Sequence, residues 1–143
     1  MNRLFARNMI ALSLTGLIAT NVVHAKGAAR AVPIMVGAQS ELDACTSIGR
    51  SSNPRKPLIV RVAPSASAAV SASLRPKHLV WICQFGVKSQ YYGIVFSDWA
   101  SSHNKDGLPP ACGVNSPIDK PKAYKGPCLS GWVKEKDLTA IAG

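Results

Sequence analysis

Cysteines are the residues of this chain whose type and spacing best suit covalent chemistry. They are Cys45, Cys83, Cys112 and Cys128. An even number of cysteines in a small domain outside the cytosol is typical of a disulfide framework. Three pairings are possible, and chain order favours joining the first cysteine to the second and the third to the fourth. We expect no metal site, because there is no C-x-x-C pair and His78 and His103 have no usual ligand spacing.

A catalytic site would need a nucleophile held by a histidine, or two carboxylates acting as acid and base. The candidates are His78, His103, Asp98 and Asp106. The sequence places none of them beside a nucleophile, since His78 opens a predicted strand and the others lie in polar loop sequence. We therefore expect a protein that is not an enzyme and that uses no cofactor.

Aromatic residues near loops are the best candidates for binding. Tyr91, Trp99 and Tyr124 lie in or beside predicted loops, whereas Trp81 and Trp132 are expected to pack in a core. An exposed aromatic platform with lysine and arginine nearby offers area for stacking and cations for carboxylate groups. Tyr91, Trp99 and Tyr124 are thus the predicted ligand-binding residues.

The first 25 residues have the pattern of a cleavable export signal. Arg3 and Arg7 form the basic start, residues 9–23 the apolar run, and residues 23–25 an A-x-A-like cleavage site. Small polar residues interrupt the run, which is short of the ~20 apolar residues that span a bilayer. We expect cleavage after Ala25, no membrane span in the mature chain, and a periplasmic or secreted location.

The chain is strongly basic, with 17 basic and 7 acidic residues. Two groups contain many of the cations: Arg50, Arg55, Lys56 and Arg61, and then Lys120, Lys122 and Lys125. Such a chain is drawn to anionic surfaces, but an exported protein meets envelope polymers and acidic proteins before nucleic acid. No aromatic residues interleave with either group, so we expect a mostly solvated basic surface and no nucleic-acid partner.

Short strands are the elements that must position these residues. Alternating apolar residues predict strands at 58–62 and 78–85, the second of them central. A strand at 91–97 follows after a short turn and is expected to pair with it as an antiparallel hairpin. Shorter strands are predicted at 131–133 and 138–141, separated by a charged turn.

The remaining segments are predicted to be irregular. Residues 26–44 form a flexible leader, within which 32–36 could add an edge strand. The alanine- and serine-rich stretch 65–74 is predicted to be a long loop with a turn. Prolines and glycines exclude continuous regular structure from 98–127, which is expected to be one long excursion tied down by a disulfide.

In this order the motifs resemble those of the bacterial SH3 domain, over about residues 45–141. The matching segments are Leu58-Ile59-Val60-Arg61 with Pro64-Ser65, Tyr92-Gly93-Ile94-Val95, and Gly131-Trp132-Val133 with Leu138. The resemblance implies an all-β protein in which residues 45–143 form a small SH3-like β-barrel of about five short antiparallel strands with a long proline-rich insertion. Within that family, the cysteines resemble those of an exported, disulfide-tied subgroup.

The resemblance also implies a function. It favours a monomeric, exported, non-catalytic binding module of the cell envelope that recognises peptidoglycan or its stem peptides. A competing hypothesis is a protein-interaction or inhibitor module, in which the loop closed between Cys112 and Cys128 inserts into a partner protein. A closed loop suits that role because it loses less entropy on binding. A purely structural envelope protein without a ligand is the third possibility.

Overall fold

The computed structural model describes residues 29–37, 42–86, 90–97 and 112–142. The predicted signal segment 1–25, Trp99 and the first half of the insertion lie outside these residues. Within them every element is a β-strand, apart from one turn of 3-10 helix at Glu135–Asp137. The all-β class is therefore confirmed. No helix in the described ranges is long and apolar enough to cross a membrane.

The described residues form nine strands where about five were expected. They are β1 (Met35–Val36), β2 (Ser47–Ser51), β3 (Leu58–Arg61), β4 (Val70–Leu74), β5 (Val80–Phe85), β6 (Tyr91–Phe96), β7 (Lys122–Ala123), β8 (Leu129–Lys134) and β9 (Leu138–Ala142). Seven make one antiparallel sheet in the order β4-β3-β8-β6-β5-β2-β9, while β1 and β7 pair separately. No ladder joins β4 to β9 among these strands, so they form an open sheet and not a closed barrel.

The strongest predicted strands are confirmed. β5 and β6 pair antiparallel, from Trp81 opposite Val95 to Phe85 opposite Tyr92, and β5 lies inside the sheet. The loop predicted over 65–74 is wrong from residue 70 onward, because β4 pairs along the whole length of β3. Its small serine and alanine side chains give no alternation of large apolar residues. The sequence therefore does not indicate this strand, which forms through backbone pairing with β3.

Each face of the sheet carries its own core. The inner core consists of Leu58, Val60, Leu74, Val80, Ile82, Ile94, Phe96, Val133 and Leu138. It unites residues from both end strands, Leu74 of β4 and Leu138 of β9, so the sheet curls around it. The outer core, on the opposite face, includes Trp81, Cys83, Tyr91, Val95 and Trp132. Strand alternation explains this division, since successive side chains point to opposite faces.

Three segments cover the outer core, two that precede β2 in the sequence and one between β6 and β8. We call residues 32–37, 43–45 and 112–128 the outer layer. Its segments are joined by backbone hydrogen bonds, among them Tyr124 N–H to the Ile34 carbonyl (2.8 Å) and Cys45 N–H to the Val114 carbonyl (3.1 Å). The strand that 32–36 was expected to offer is present as β1, but it pairs with β7 and not with the main sheet. Ile34 and Val36 are buried, so this part of the expected leader is packed.

Candidate functional site

The predicted platform residues do not form an exposed surface together. Tyr91 is only 7% exposed and belongs to the outer core, which corrects the expectation that it is accessible. Tyr124 is partly buried and packs against the same core. Trp99 lies outside the described residues. Tyr91 is buried because the outer layer covers the face of the sheet to which its side chain points, and no local sequence pattern indicates that cover.

Tyr124 holds the ends of the disulfide-closed loop together. Its hydroxyl donates to the Cys112 carbonyl (2.8 Å) and accepts the Cys128 N–H (3.0 Å). Burial raises the pKa of Tyr124 above its usual value, although the hydrogen bond from Cys128 acts in the opposite direction. The phenol therefore stays protonated at neutral pH and keeps its donor role.

All four cysteines form disulfides, in the pairing that chain order favours. Cys45 joins Cys83 and Cys112 joins Cys128, with Cα separations of 4.0 and 5.5 Å. The first bridge fastens the outer layer to β5. The second closes the part of the outer layer that contains β7. The first bridge thus joins the outer layer to the sheet, and the second constrains the outer layer itself.

A wide cleft of about 770 Å³ opens where β6 begins and β8 ends. Three short segments line it: the turn at 64–66, residues 90–91 and residues 134–136. Backbone hydrogen bonds fix these segments, since Glu135 N–H donates to the Gln90 carbonyl (2.9 Å) and Ser65 N–H to the Ala63 carbonyl (2.8 Å). The 3-10 turn after β8 brings its charged residues to the rim. The cleft is therefore a preformed feature of the fold.

The cleft presents groups of both charges. Lys134 and Lys136 supply cations, Glu135 a carboxylate, and Gln90 and Ser65 neutral hydrogen-bonding groups. Neither lysine forms an ion pair within the described residues, so both remain available to an anionic group. Such a lining is complementary to a ligand that combines carboxylates, amides and amino groups, as peptides do.

An aromatic pair that the sequence reasoning did not select adjoins this cleft. The rings of Phe85 and Tyr92 meet edge to face with centroids 5.3 Å apart, and Phe85 is 48% exposed. The Tyr92 hydroxyl donates to Oε1 of Glu135 (3.0 Å), which also lines the cleft. Partial burial raises the pKa of Tyr92, with the hydrogen bond to Glu135 and its negative charge adding to the effect.

The hairpin gave only part of the signal for this pair. Residues opposite each other in a hairpin are cross-strand neighbours, but the strand bounds read from the sequence place Phe85 opposite Tyr91, whereas the structure pairs it with Tyr92. Tyr91 and Tyr92 are adjacent in a strand and must point to opposite faces. Only one of the two side chains can therefore face the outer core.

Only one of the four catalytic candidates, His78, lies in the part of the chain that the structure describes. His78 is buried, and its Nε2 donates to the Ser97 carbonyl at 2.9 Å, which anchors the start of β5. His103, Asp98 and Asp106 fall outside the described residues. Among the described residues, no three histidine, cysteine or acidic side chains are grouped so that they could hold a metal ion.

The geometry leaves the cleft and the aromatic pair beside it as the best candidate site. Gln90, Lys134, Glu135 and Lys136 provide the polar groups of the cleft and Tyr91 also lines it, while Phe85 and Tyr92 form the aromatic pair beside it. In comparisons with known proteins, no family model, curated protein or solved structure matches the chain.

Proposed function

We propose that this protein is an exported, non-catalytic binding module of the cell envelope, with an SH3-like architecture, that recognises peptidoglycan through its stem peptides. The curled antiparallel sheet and the 3-10 turn between its last two strands in sequence support the architecture. Two disulfides support a location outside the cytosol. The signal-like pattern at the start of the sequence supports the same location.

The cleft is the observation that carries the proposal. Its cations suit the carboxylates of a short peptide, Glu135 suits an amino group, and Gln90 suits the amides between them. The exposed edge of Phe85 provides apolar area beside these polar groups. Aromatic residues and a few convergent polar groups are the usual composition of a ligand site.

Co-sedimentation with purified peptidoglycan sacculi tests this proposal directly. The mature chain from Lys26, with its cysteines oxidised, is expected to bind saturably. Phe85→Ala and Lys136→Gln should each weaken binding about three- to tenfold, because each removes one exposed contact group. Leu129→Ala and Lys125→Gln are matched controls, since both replace exposed residues outside the cleft.

Two results count against wall binding. One is a folded parent protein that shows no saturable association with sacculi. The other is an equal loss of binding in the Leu129→Ala and Lys125→Gln controls. That result would mean that the binding is non-specific electrostatic and hydrophobic association. Circular dichroism of every variant establishes that the fold is intact before binding is compared.

The competing function, binding of a protein partner by the loop closed between Cys112 and Cys128, has its own support. Tyr124 and the disulfide hold this loop in shape, and its lysines at 120, 122 and 125 are exposed. Replacing these three lysines by glutamate should abolish capture of an acidic partner. Loss of capture in this variant, together with a parent that does not bind sacculi, favours the interaction module.

A further inference from the structure

A second concave site lies between the end of β2, the turn before β5 and the start of β9. It encloses about 260 Å³. Its walls carry two cations, Arg50 and Lys77, the hydroxyls of Ser52 and Thr139, and the rings of Pro54 and Pro76. It shares no lining residue with the cleft beside β6, so it is a separate feature of the molecule. We call it the basic pocket.

The fold assembles the charge of this pocket from separate parts of the chain. Arg61, grouped with Arg50 in the sequence, donates instead to the Ala68 carbonyl (2.7 Å) and holds the turn before β4. Lys77, which was in neither basic group, joins Arg50 at the pocket. Arg55 and Lys56 are exposed on the loop that contributes Pro54, and they extend the positive surface.

The cations of the basic pocket are not neutralised within the described residues. Neither Arg50 nor Lys77 forms an ion pair there. Asp137 is the acidic residue that hydrogen bonding brings to the site, because its backbone carbonyl accepts the Ser52 N–H (2.9 Å). Its side chain does not line the pocket. The pocket therefore retains an excess of positive charge, which favours an anionic occupant.

Both walls of the pocket are fixed before any ligand arrives. The buried Ser51 hydroxyl lies 3.0 Å from the Asn53 carbonyl and 3.1 Å from the Lys56 carbonyl, which shapes the loop after β2. On the other side, His78 N–H donates to the Arg75 carbonyl (3.0 Å) and fixes the turn that carries Lys77. Preorganised walls reduce the entropy lost on binding.

We propose that the basic pocket binds a phosphoryl group carried by a polyol or sugar. A guanidinium and an ammonium group at one site suit a tetrahedral anion with several oxygens, and the Thr139 hydroxyl can donate one more hydrogen bond, whereas the Ser52 hydroxyl already donates to the Lys136 carbonyl (2.9 Å). The space exceeds that of a phosphate ion alone, so attached carbon atoms also fit. The two proline rings offer those carbons an apolar surface.

Isothermal titration of the mature oxidised chain with glycerol 3-phosphate tests the proposal, with glycerol and inorganic phosphate as comparison ligands. We expect saturable binding of glycerol 3-phosphate, weaker binding of inorganic phosphate, and none of glycerol. The double variant Arg50→Gln, Lys77→Gln should lower the affinity at least about tenfold, since two charge-assisted contacts are lost. The double variant Lys120→Gln, Lys122→Gln removes the same charge elsewhere and should change affinity by less than about twofold.

The proposal is overturned if the folded parent shows no saturable binding, or if the two double variants lose equal affinity. Two further probes separate the sources of the phosphoryl group: vesicles of phosphatidylglycerol against phosphatidylcholine, and soluble poly(glycerol phosphate). Binding lost with Arg50 and Lys77 assigns a lipid headgroup in the first case and a soluble polymer in the second. Sacculi stripped of phosphate-bearing polymers should bind this double variant as well as they bind the parent. A failure of the phosphoryl-binding proposal therefore does not contradict the wall-binding proposal.

Discussion

Two tyrosines of the outer core show how the same side chain contributes differently according to its hydrogen bonds. The Tyr124 hydroxyl is fully used, because it donates to one cysteine backbone and accepts from another. The Tyr91 hydroxyl is buried and has no hydrogen-bond partner among the described residues. A buried polar group without a partner reduces stability. The two hydroxyls are therefore expected to have opposite effects on folding.

Phenylalanine replacement at each position measures that difference. Tyr124→Phe should lower the free energy of unfolding by about 1 to 2 kcal/mol, since two hydrogen bonds are lost. Tyr91→Phe should leave it unchanged or raise it by up to about 1 kcal/mol, because an unsatisfied group is removed. Urea unfolding of the oxidised variants gives both values. Equal destabilisation by the two replacements contradicts this account.

At the residue scale, the sequence indicated candidate residue types but not which face of the sheet each side chain would occupy. Tyr91, beside the β5–β6 hairpin, was selected and Tyr92 was not, but the covering of one sheet face decides which of the two is accessible. Adjacent strand residues face opposite ways, and nothing local states which face is covered. The cover comes from residues 32–37 and 112–128, far from the hairpin in sequence. Likewise, Arg50 and Lys77 line the same pocket because of the order of the strands in the sheet, which no local sequence pattern indicates.

At the scale of elements, strands were predictable where large apolar residues alternate. β5 and β6 have that alternation and were placed correctly, as were the strands around Trp132 and Leu138. β2 was not predicted, because its sequence S-I-G-R-S has one large apolar residue and its partners, β5 and β9, are distant in the chain. β1 and β7 are two residues long and exist through tertiary contact alone.

Close approach between elements gives a test of how the outer layer sits on the sheet. A Cβ atom at Gly93 in β6 would lie 2.9 Å from Cβ of Gln84 and 3.0 Å from Cδ1 of Ile34. Gly93→Ala should therefore push the segment before β1 away from the sheet. We expect a loss of about 1 to 3 kcal/mol in the free energy of unfolding.

The control for Gly93→Ala is Ser73→Ala on β4, an exposed position of an end strand. It should change the free energy of unfolding by no more than about 0.5 kcal/mol. Loss of the Trp132 indole hydrogen bond to the Val32 carbonyl (2.8 Å) should accompany Gly93→Ala and be visible as a shift of the indole proton resonance. An unshifted resonance with full stability would show that the segment does not rest on Gly93.

At the scale of the whole molecule, one sheet separates two cores of different construction. The inner core is enclosed by the curled sheet itself, whose seven strands are joined by antiparallel ladders, with six paired positions between β6 and β8. The outer core is enclosed by irregular chain, two very short strands and the disulfides. Local stability follows buried contact and protected hydrogen bonds. The outer layer should therefore open more easily than the sheet.

Amide hydrogen exchange of the variant Cys112→Ser, Cys128→Ser tests this difference. The amide of Tyr124, bonded to the Ile34 carbonyl, and that of Cys45, bonded to the Val114 carbonyl, should exchange at least about tenfold faster than in the parent. Loss of the loop constraint, worth roughly 3 kcal/mol in the chain-entropy model, is the reason. Amides between β6 and β8 should keep most of their protection. A uniform loss across both layers would instead show one cooperative unit.

The order of the disulfides bears on how the chain matures as it emerges N-terminus first. The first cysteine is joined to the second and the third to the fourth, so the two bridges follow each other without overlapping. An oxidant that links cysteines in their order of appearance makes the native bridges at once. The first can close when β5 has emerged and the last third of the chain has not. This protein therefore has little need of an isomerase to correct its bonds.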